Sequence, residues 1–277
     1  PPFVLPTNVP EHRLVPAERE ITVHDILTHT SGIASGGLGN AISEDAIMWL
    51  DTRTSLATNV PKYGDIVLDF QPGDRWRYSA ATALDVIARI IEIESGLSFN
   101  EFVQQRIFEP LGMNDTWWNV PEEYQDRLID IVGSDTATPP NSAIYDTSHS
   151  TYFGASYGLK STAGDYLRFE QMLVNGGELF GNRLLKPQTV ELMSSNQVGD
   201  LFNAMPGVSE QGFGYTVATT EESNERRSKG AFGWGGALGT RSWSDPEQEL
   251  TGVIMIQQPV PQVQRDFENA VHQAIMD

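Results

Sequence analysis

An α+β fold is the class this sequence predicts, on three observations. Helical periodicity dominates the first two-thirds of the chain. From residue 211 the apolar pattern shortens to that of strands. The chain then closes in an amphipathic helix, in which Val263, Phe267, Val271 and Ile275 recur every four residues. The expected division is a mainly helical region with a lead-in and long loops over 1–200, then sheet strands and a C-terminal helix over 201–277.

Residues 1–20 hold five prolines and read as an extended lead-in. Thr22 and Asp25 form a capping-box pattern that opens a short helix, and Ser31-Gly32 ends it. Residues 34–40 are small and glycine-rich, a loop, and a second helix is expected over about 43–52. Pro72-Gly73 centres a turn. A helix over about 81–95 follows, with Leu84, Ile87, Ile90 and Ile91 as its apolar face and Gly96 as its stop. Ser98 and Glu101 cap the next helix, expected to end before Pro110. Residues 119–150 read as a long, irregular connection. Thr162 and Asp165 open a helix that Asn175-Gly176-Gly177 closes, and Pro187 suits the first turn of a helix over 187–194.

Strands are expected at about 212–219, 229–243 and 249–257, with Ser244–Glu247 turning between the last two. The run Leu250–Ile256 is apolar on both faces, which predicts a central, doubly covered strand. Before it lies Phe232-Gly-Trp-Gly-Gly-Ala-Leu-Gly-Thr240, with four glycines in nine residues. A glycine-rich strand edge beside a buried strand can aim backbone N–H groups at a developing oxyanion; it is also what a plain turn at a sheet edge looks like.

Composition narrows the function. The 277 residues suffice for a sizeable core, at 39% hydrophobic content and a formal net charge of −19. That charge disfavours nucleic acid and anionic membrane surfaces as partners. No stretch is long and apolar enough to insert in a membrane. The absence of cysteine excludes disulfides, thiolate metal sites and a cysteine nucleophile. The histidines are His12, His24, His29, His149 and His272, none in a metal-binding spacing, and there is no phosphate-binding or dinucleotide loop. No metal or other cofactor is expected.

Two residues carry candidate chemistry on their own. Gly154-Ala-Ser156-Tyr-Gly158 matches the G-x-S-x-G of a nucleophile elbow, and the order Ser156, Asp245, His272 is that of an α/β-hydrolase triad. The motif needs a strand before it and a helix beginning at the serine, and neither is expected here. Tyr78 stands just before a helix. It can act as a general base if a cation lowers its pKa, or it can be a packed edge with a satisfied hydroxyl.

Five stretches occur in a telling order: Ile21-Thr-Val-His-Asp-Ile-Leu-Thr-His-Thr-Ser-Gly32, Phe70-Gln-Pro-Gly-Asp-Arg-Trp-Arg-Tyr-Ser79, Pro110-Leu-Gly-Met-Asn-Asp-Thr116, Gly158-Leu-Lys-Ser-Thr-Ala-Gly-Asp165 and Phe232–Thr240. Together they resemble the serine β-lactamase-related family, which takes in class C β-lactamases, DD-peptidases of the penicillin-binding type and family VIII carboxylesterases. The resemblance spans nearly the whole chain. It implies the β-lactamase/DD-peptidase-like fold, a helical region plus an antiparallel sheet flanked by helices. It implies Tyr78 as the tyrosine that exchanges protons with the nucleophile and leaving group. Trp234, Gly235 and Gly236 would line the site, and the N–H of Ala237 would be one oxyanion donor. Trp-Gly-Gly in place of Lys/His-x-Gly resembles the esterase branch, so the implied substrate is a small ester before a β-lactam. Ser156 would then be a bystander.

Two departures qualify this. The Tyr-x-Asn motif reads Tyr78-Ser79-Ala80, without the asparagine amide. No S-x-x-K exists: the lysines are Lys62, Lys160, Lys186 and Lys229, and none has a serine three residues earlier. The expectation is therefore a family member whose nucleophile and first strands lie outside this sequence, so that the chain alone is inactive. Its own N-terminal segment or a second chain would complete the sheet. The alternatives are an inactive binding scaffold of the same fold, or an esterase that uses Ser156.

Overall fold

The computed structural model describes residues 11–43, 54–80, 82–129 and 150–276. The chain divides into two compact units, one of residues 1–102 and 136–159, the other of 103–135 and 160–277. These units are drawn by compactness and not by element type, the basis of the division expected at residue 200. Each unit is described by itself.

In the first unit, α1 (Val23–Leu27) starts at Thr22 as expected. Thr22 Oγ1 accepts the Asp25 N–H at 3.2 Å, and Asp25 Oδ2 accepts the Thr22 N–H at 2.8 Å. Part of the expected 34–40 loop is helical, as α2 (Leu38–Ile42). Its cap comes from far along the chain: Asp69 accepts the N–H groups of Gly37 at 3.0 Å and Asn40 at 2.9 Å. The helix expected over 43–52 falls almost wholly outside the described residues. After α3 (Leu56–Asn59), the helix α4 (Ala83–Ser95) stops at Gly96, φ 72°, as expected. Its buried face is not the expected one. Ala83, Asp85 and Ala88 are buried, while Ile90 is exposed and Leu84, Ile87 and Ile91 are half-buried. Small side chains allow close approach on one side, and a buried carboxylate there has partners described below.

The helix α5 (Phe99–Val103) does not end before Pro110. It widens into a π-helical turn over Gln104–Phe108 and runs on as α6 (Glu109–Leu111), with Pro110 in its first turn and Gly112 as its stop. A wider turn shifts the hydrogen-bond register and makes room for a ring that lacks an N–H.

The second unit also holds α7 (Ala163–Val174), the short strands β1 (Glu178–Leu179) and β2 (Asn182–Arg183), and α8 (Pro187–Ser194). Then comes a five-stranded antiparallel sheet of β3 (Gln211–Phe213), β4 (Ala218–Thr220), β5 (Phe232–Gly235), β6 (Arg241–Asp245) and β7 (Leu250–Ile254), in that spatial order, followed by α9 (Pro261–Met276). The strand expected over 212–219 is thus β3 and β4, and the one expected over 229–243 is the hairpin β5–β6.

The 250–256 run is doubly covered but not central. The helix α7 lies against β6 and β7, and α9 against β7. On β6, Ser244 Oγ donates to Glu170 of α7 at 2.7 Å, while the next residue inward, Trp243, packs edge-on against Phe267 of α9 at 5.7 Å. Alternate residues face opposite sides of a sheet, so α7 and α9 cover its two faces. Among the described residues β7 is the last strand of the sheet, and β6 separates it from the glycine-rich β5. Gly252 is paired with Trp243, and a Cβ there would run into the indole.

One carboxylate ties α9 to this sheet. Glu268 is buried and accepts from Arg227 at 3.0 Å and from Arg241 of β6 at 2.8 Å. The Arg227 guanidinium is largely buried and stands 5.4 Å over the Trp243 ring. Replacing Glu268 by Ala leaves that guanidinium buried without its counter-charge, a loss of roughly 3 kcal/mol. Urea unfolding checks this, and Arg241→Ala, at a half-exposed partner, is expected to cost much less.

Candidate active site

The segment carrying Tyr78 is held by backbone bonds to the end of α1. Gly32 O accepts from Asp69 N–H at 2.9 Å, Thr30 O from Gly73 at 2.8 Å and His29 O from Arg77 at 3.0 Å. Asp25 secures the α1 side. Burial pushes its carboxyl up, but the Arg19 fork at 2.6 and 2.7 Å and the bonds from Thr22 outweigh this and hold it well below the usual carboxylate range. His29 has φ 57°, a left-handed conformation that closes the helix. Its ring is buried, edge-on to the Tyr78 ring at 4.7 Å and to Trp76 at 6.0 Å. Its Nδ1 accepts the Ser79 N–H at 3.4 Å, which places the proton of the neutral ring on Nε2. Tyr78 itself is 40% exposed, and Ala80 beside it is exposed.

Burial pushes the His29 pKa down to about 4. The unfolded chain then takes up the proton first, near the ordinary value of 6.5, so stability is full above that pH and falls as pH drops towards 4. The loss amounts to about 3 kcal/mol. Urea midpoints measured between pH 7 and 4 are expected to show it, and His29→Asn, which tolerates the same backbone conformation, is expected to flatten the slope.

The second group of expected residues lies in the other unit, at the end of the β5–β6 hairpin. Trp234 and Gly235 are the last residues of β5, paired with Ser242 and Arg241. The Trp234 ring stands edge-on to Phe213 at 5.4 Å. Gly236 N–H closes the hairpin on Thr240 O at 2.8 Å, and Gly239 N–H bonds Gly236 O at 3.0 Å. Gly239, at φ 102°, has no room for a Cβ against the Gln258 backbone. Ala237 is exposed at the tip, and among the described residues its N–H makes no hydrogen bond. An unbonded backbone donor beside a strand end can serve a developing oxyanion, as can many exposed turn amides.

Ser156 stands differently. Among the described residues no strand precedes it, and the next helix begins at Ala163. Its N–H donates to Asp85 Oδ1 at 3.0 Å and its hydroxyl is buried. Asp245 accepts the N–H groups of Ser228 at 2.8 Å and Gln248 at 3.2 Å, and His272 lies within α9 with Nδ1 buried and not bonded to Asp245. The elbow and the Asp–His pair that the G-x-S-x-G reading needs are not formed.

The sequence reading missed the polar group around Asp85. This carboxylate is fully buried and accepts from the Tyr152 hydroxyl, which also meets the Tyr63 hydroxyl at 3.2 Å. Burial pushes the Asp85 pKa up, and the bonds from Tyr152 and Ser156 hold it back. Burial and the neighbouring Asp85 charge push the Tyr152 phenol up in turn. A Cβ on Gly154 would stand 2.8 Å from the Tyr152 ring and 3.0 Å from Asp85. Gly154→Ala is expected to lower the thermal midpoint by several degrees, read by calorimetry. An aspartate on a helical stripe was the only signal of this group. Among the described residues no three His, Asp or Glu side chains converge as a metal site.

The Beta-lactamase family model matches residues 5–275. The chain belongs to the Beta-lactamase family. The uncharacterized protein MT1414 of Mycobacterium tuberculosis is 32% identical over 90% of this chain and 65% of its own length. The lovastatin esterase of Penicillium rubens is 27% identical over 89% of this chain and 66% of its own length. The chain thus spans about two-thirds of the length of the curated relatives it matches. Among solved structures, simvastatin synthase (LovD) from Aspergillus terreus superposes with a TM-score of 0.73 at 22% identity, covering 95% of this chain and 71% of that one. EstCE1, a hydrolase with promiscuous acyltransferase activity, gives 0.71 at 18% identity, covering 93% and 72%. The fold is the β-lactamase/DD-peptidase-like α+β fold, and named relatives in this serine hydrolase family are esterases and acyltransferases.

Proposed function

We propose that this chain carries the tyrosine and oxyanion-donor parts of a carboxylesterase site. The reaction is acyl transfer from a small ester to a serine, then hydrolysis. The β5–β6 hairpin is the observation that carries this reading. Its backbone closes through Gly236 and Gly239, and at the exposed Ala237, which follows Trp234-Gly235-Gly236, the N–H makes no hydrogen bond among the described residues. The lovastatin esterase and the Burkholderia gladioli esterase EstB among the relatives support an ester substrate. Tyr78 exchanges the proton with the nucleophile and the leaving group. The nucleophile is a serine outside these 277 residues, because no S-x-x-K occurs among them. The segment that bears it also extends the sheet at β7, whose outer edge has no partner strand among the described residues.

A second reading is a binding scaffold of the same fold without turnover. The absent S-x-x-K and the exposed Ala80 in place of an asparagine favour it.

In the full-length protein, Tyr78→Phe is expected to lower kcat for p-nitrophenyl ester hydrolysis by at least about 100-fold with KM little changed. Ser156→Ala is expected to keep near wild-type turnover. A full-length protein that forms no adduct with a fluorophosphonate and hydrolyses no ester would leave the scaffold reading.

A further inference from the structure

Tyr78 lies in a stretch, residues 76–80, without helix or strand, so no regular backbone pattern sets the direction of its ring. His29 makes contacts that can do so. The imidazole meets the Tyr78 ring edge-on at 4.7 Å and 68°. The same imidazole accepts the N–H of the next residue, Ser79, at 3.4 Å, while the His29 carbonyl accepts the N–H of the preceding residue, Arg77, at 3.0 Å. One residue therefore grips the chain on both sides of the tyrosine and touches its ring between them. Ser79 is in turn fixed by its hydroxyl against Thr82, at 3.1 Å, just before α4.

We propose that His29 is a positioning residue of Tyr78, holding the phenol in one direction through its ring contact and its Nδ1. Its catalytic consequence rests on the reading of Tyr78 given above; the contact itself does not.

The chemistry makes the grip conditional on a neutral ring. Nδ1 accepts only while unprotonated, and an imidazolium would present a donor to the Ser79 N–H. On the loop side the Tyr78 ring meets the imidazole and Arg77 bonds the carbonyl of the same residue, while the Asp25 carboxylate, before it in the chain, is paired with Arg19. Burial holds the imidazole neutral down to about pH 4, so the grip is complete across the neutral range. Phenylalanine at 29 would keep the ring contact and remove the acceptor. Asparagine would keep the left-handed backbone and remove the ring.

The test uses the full-length protein and its His29→Phe, His29→Asn and Tyr78→Phe variants. Amide exchange at pH 7 is expected to accelerate about 10-fold at Ser79 in His29→Phe while Arg77, bonded to the backbone carbonyl of residue 29, stays protected. The Cζ resonance of Tyr78, in tyrosine-labelled protein, is expected to step near pH 4 in the wild type and to stay flat in both His29 variants. For ester turnover, kcat is expected to fall about 10–100-fold in His29→Asn with KM unchanged. Equal exchange at Ser79 and Arg77 together with a flat wild-type Tyr78 resonance would overturn the inference. The two readings fail separately. If the exchange and resonance signatures appear but Tyr78→Phe stays active, His29 positions a tyrosine that is not catalytic. If Tyr78→Phe is dead and the His29 variants are silent, only the positioning role falls.

Discussion

The first unit depends on a short stitch between two stretches far apart in sequence. Three carbonyls at the end of α1, on His29, Thr30 and Gly32, take the N–H groups of Arg77, Gly73 and Asp69. None of these bonds belongs to a helix or a ladder, yet between them they fix everything from the Asp69 cap of α2 to the loop that carries Tyr78. Buried backbone groups must find partners, and here the partners are supplied by a left-handed residue that turns the chain back on itself. The strain of φ 57° at His29 is tolerated because the ring is locked on three sides, by Trp76, Tyr78 and the Ser79 amide.

The second unit solves a different problem. Its sheet must stay rigid beneath the β5–β6 hairpin. The rigidity comes from β6, whose serines bond α7 and whose Trp243 is clamped between Phe267, the Arg227 guanidinium and the space left by Gly252. Glu268 pairs with Arg226 and Arg227, between β4 and β5, and with Arg241 of β6, so α9 cannot slide along the sheet without separating buried charge pairs. The glycines of β5 and its turn then do local work. Gly233 lies close against β6, and Gly239 lies against the Gln258 backbone.

Much of this was legible in the residues. The caps at Thr22 and Thr162, the stops at Gly96 and Gly176, the proline start of α8 and the closing helix all formed where local chemistry placed them. Each rests on interactions within four residues, which a sequence displays directly. Tyr78 and the Trp234–Ala237 run were legible as a resemblance, since their spacing and order are written in the chain. What was not legible needed a distant partner. Asp69 caps a helix about thirty residues before it, Pro110 is absorbed by a widened turn, and one apparent strand folds back into the β5–β6 hairpin.

By itself, then, the sequence determined the α+β class, most helix caps, the family resemblance and the absence of an S-x-x-K nucleophile among these residues, because periodicity, capping and motif order are properties of neighbours. Only the tertiary structure decided which face of α4 is buried, that β6 rather than the 250–256 run lies beside the glycine-rich strand, and that His29 and Asp85 are the polar anchors of their unit. Those outcomes turn on burial and pairing. A side chain's solvation, its hydrogen-bond partner and its strand neighbour are set by residues that only folding brings together.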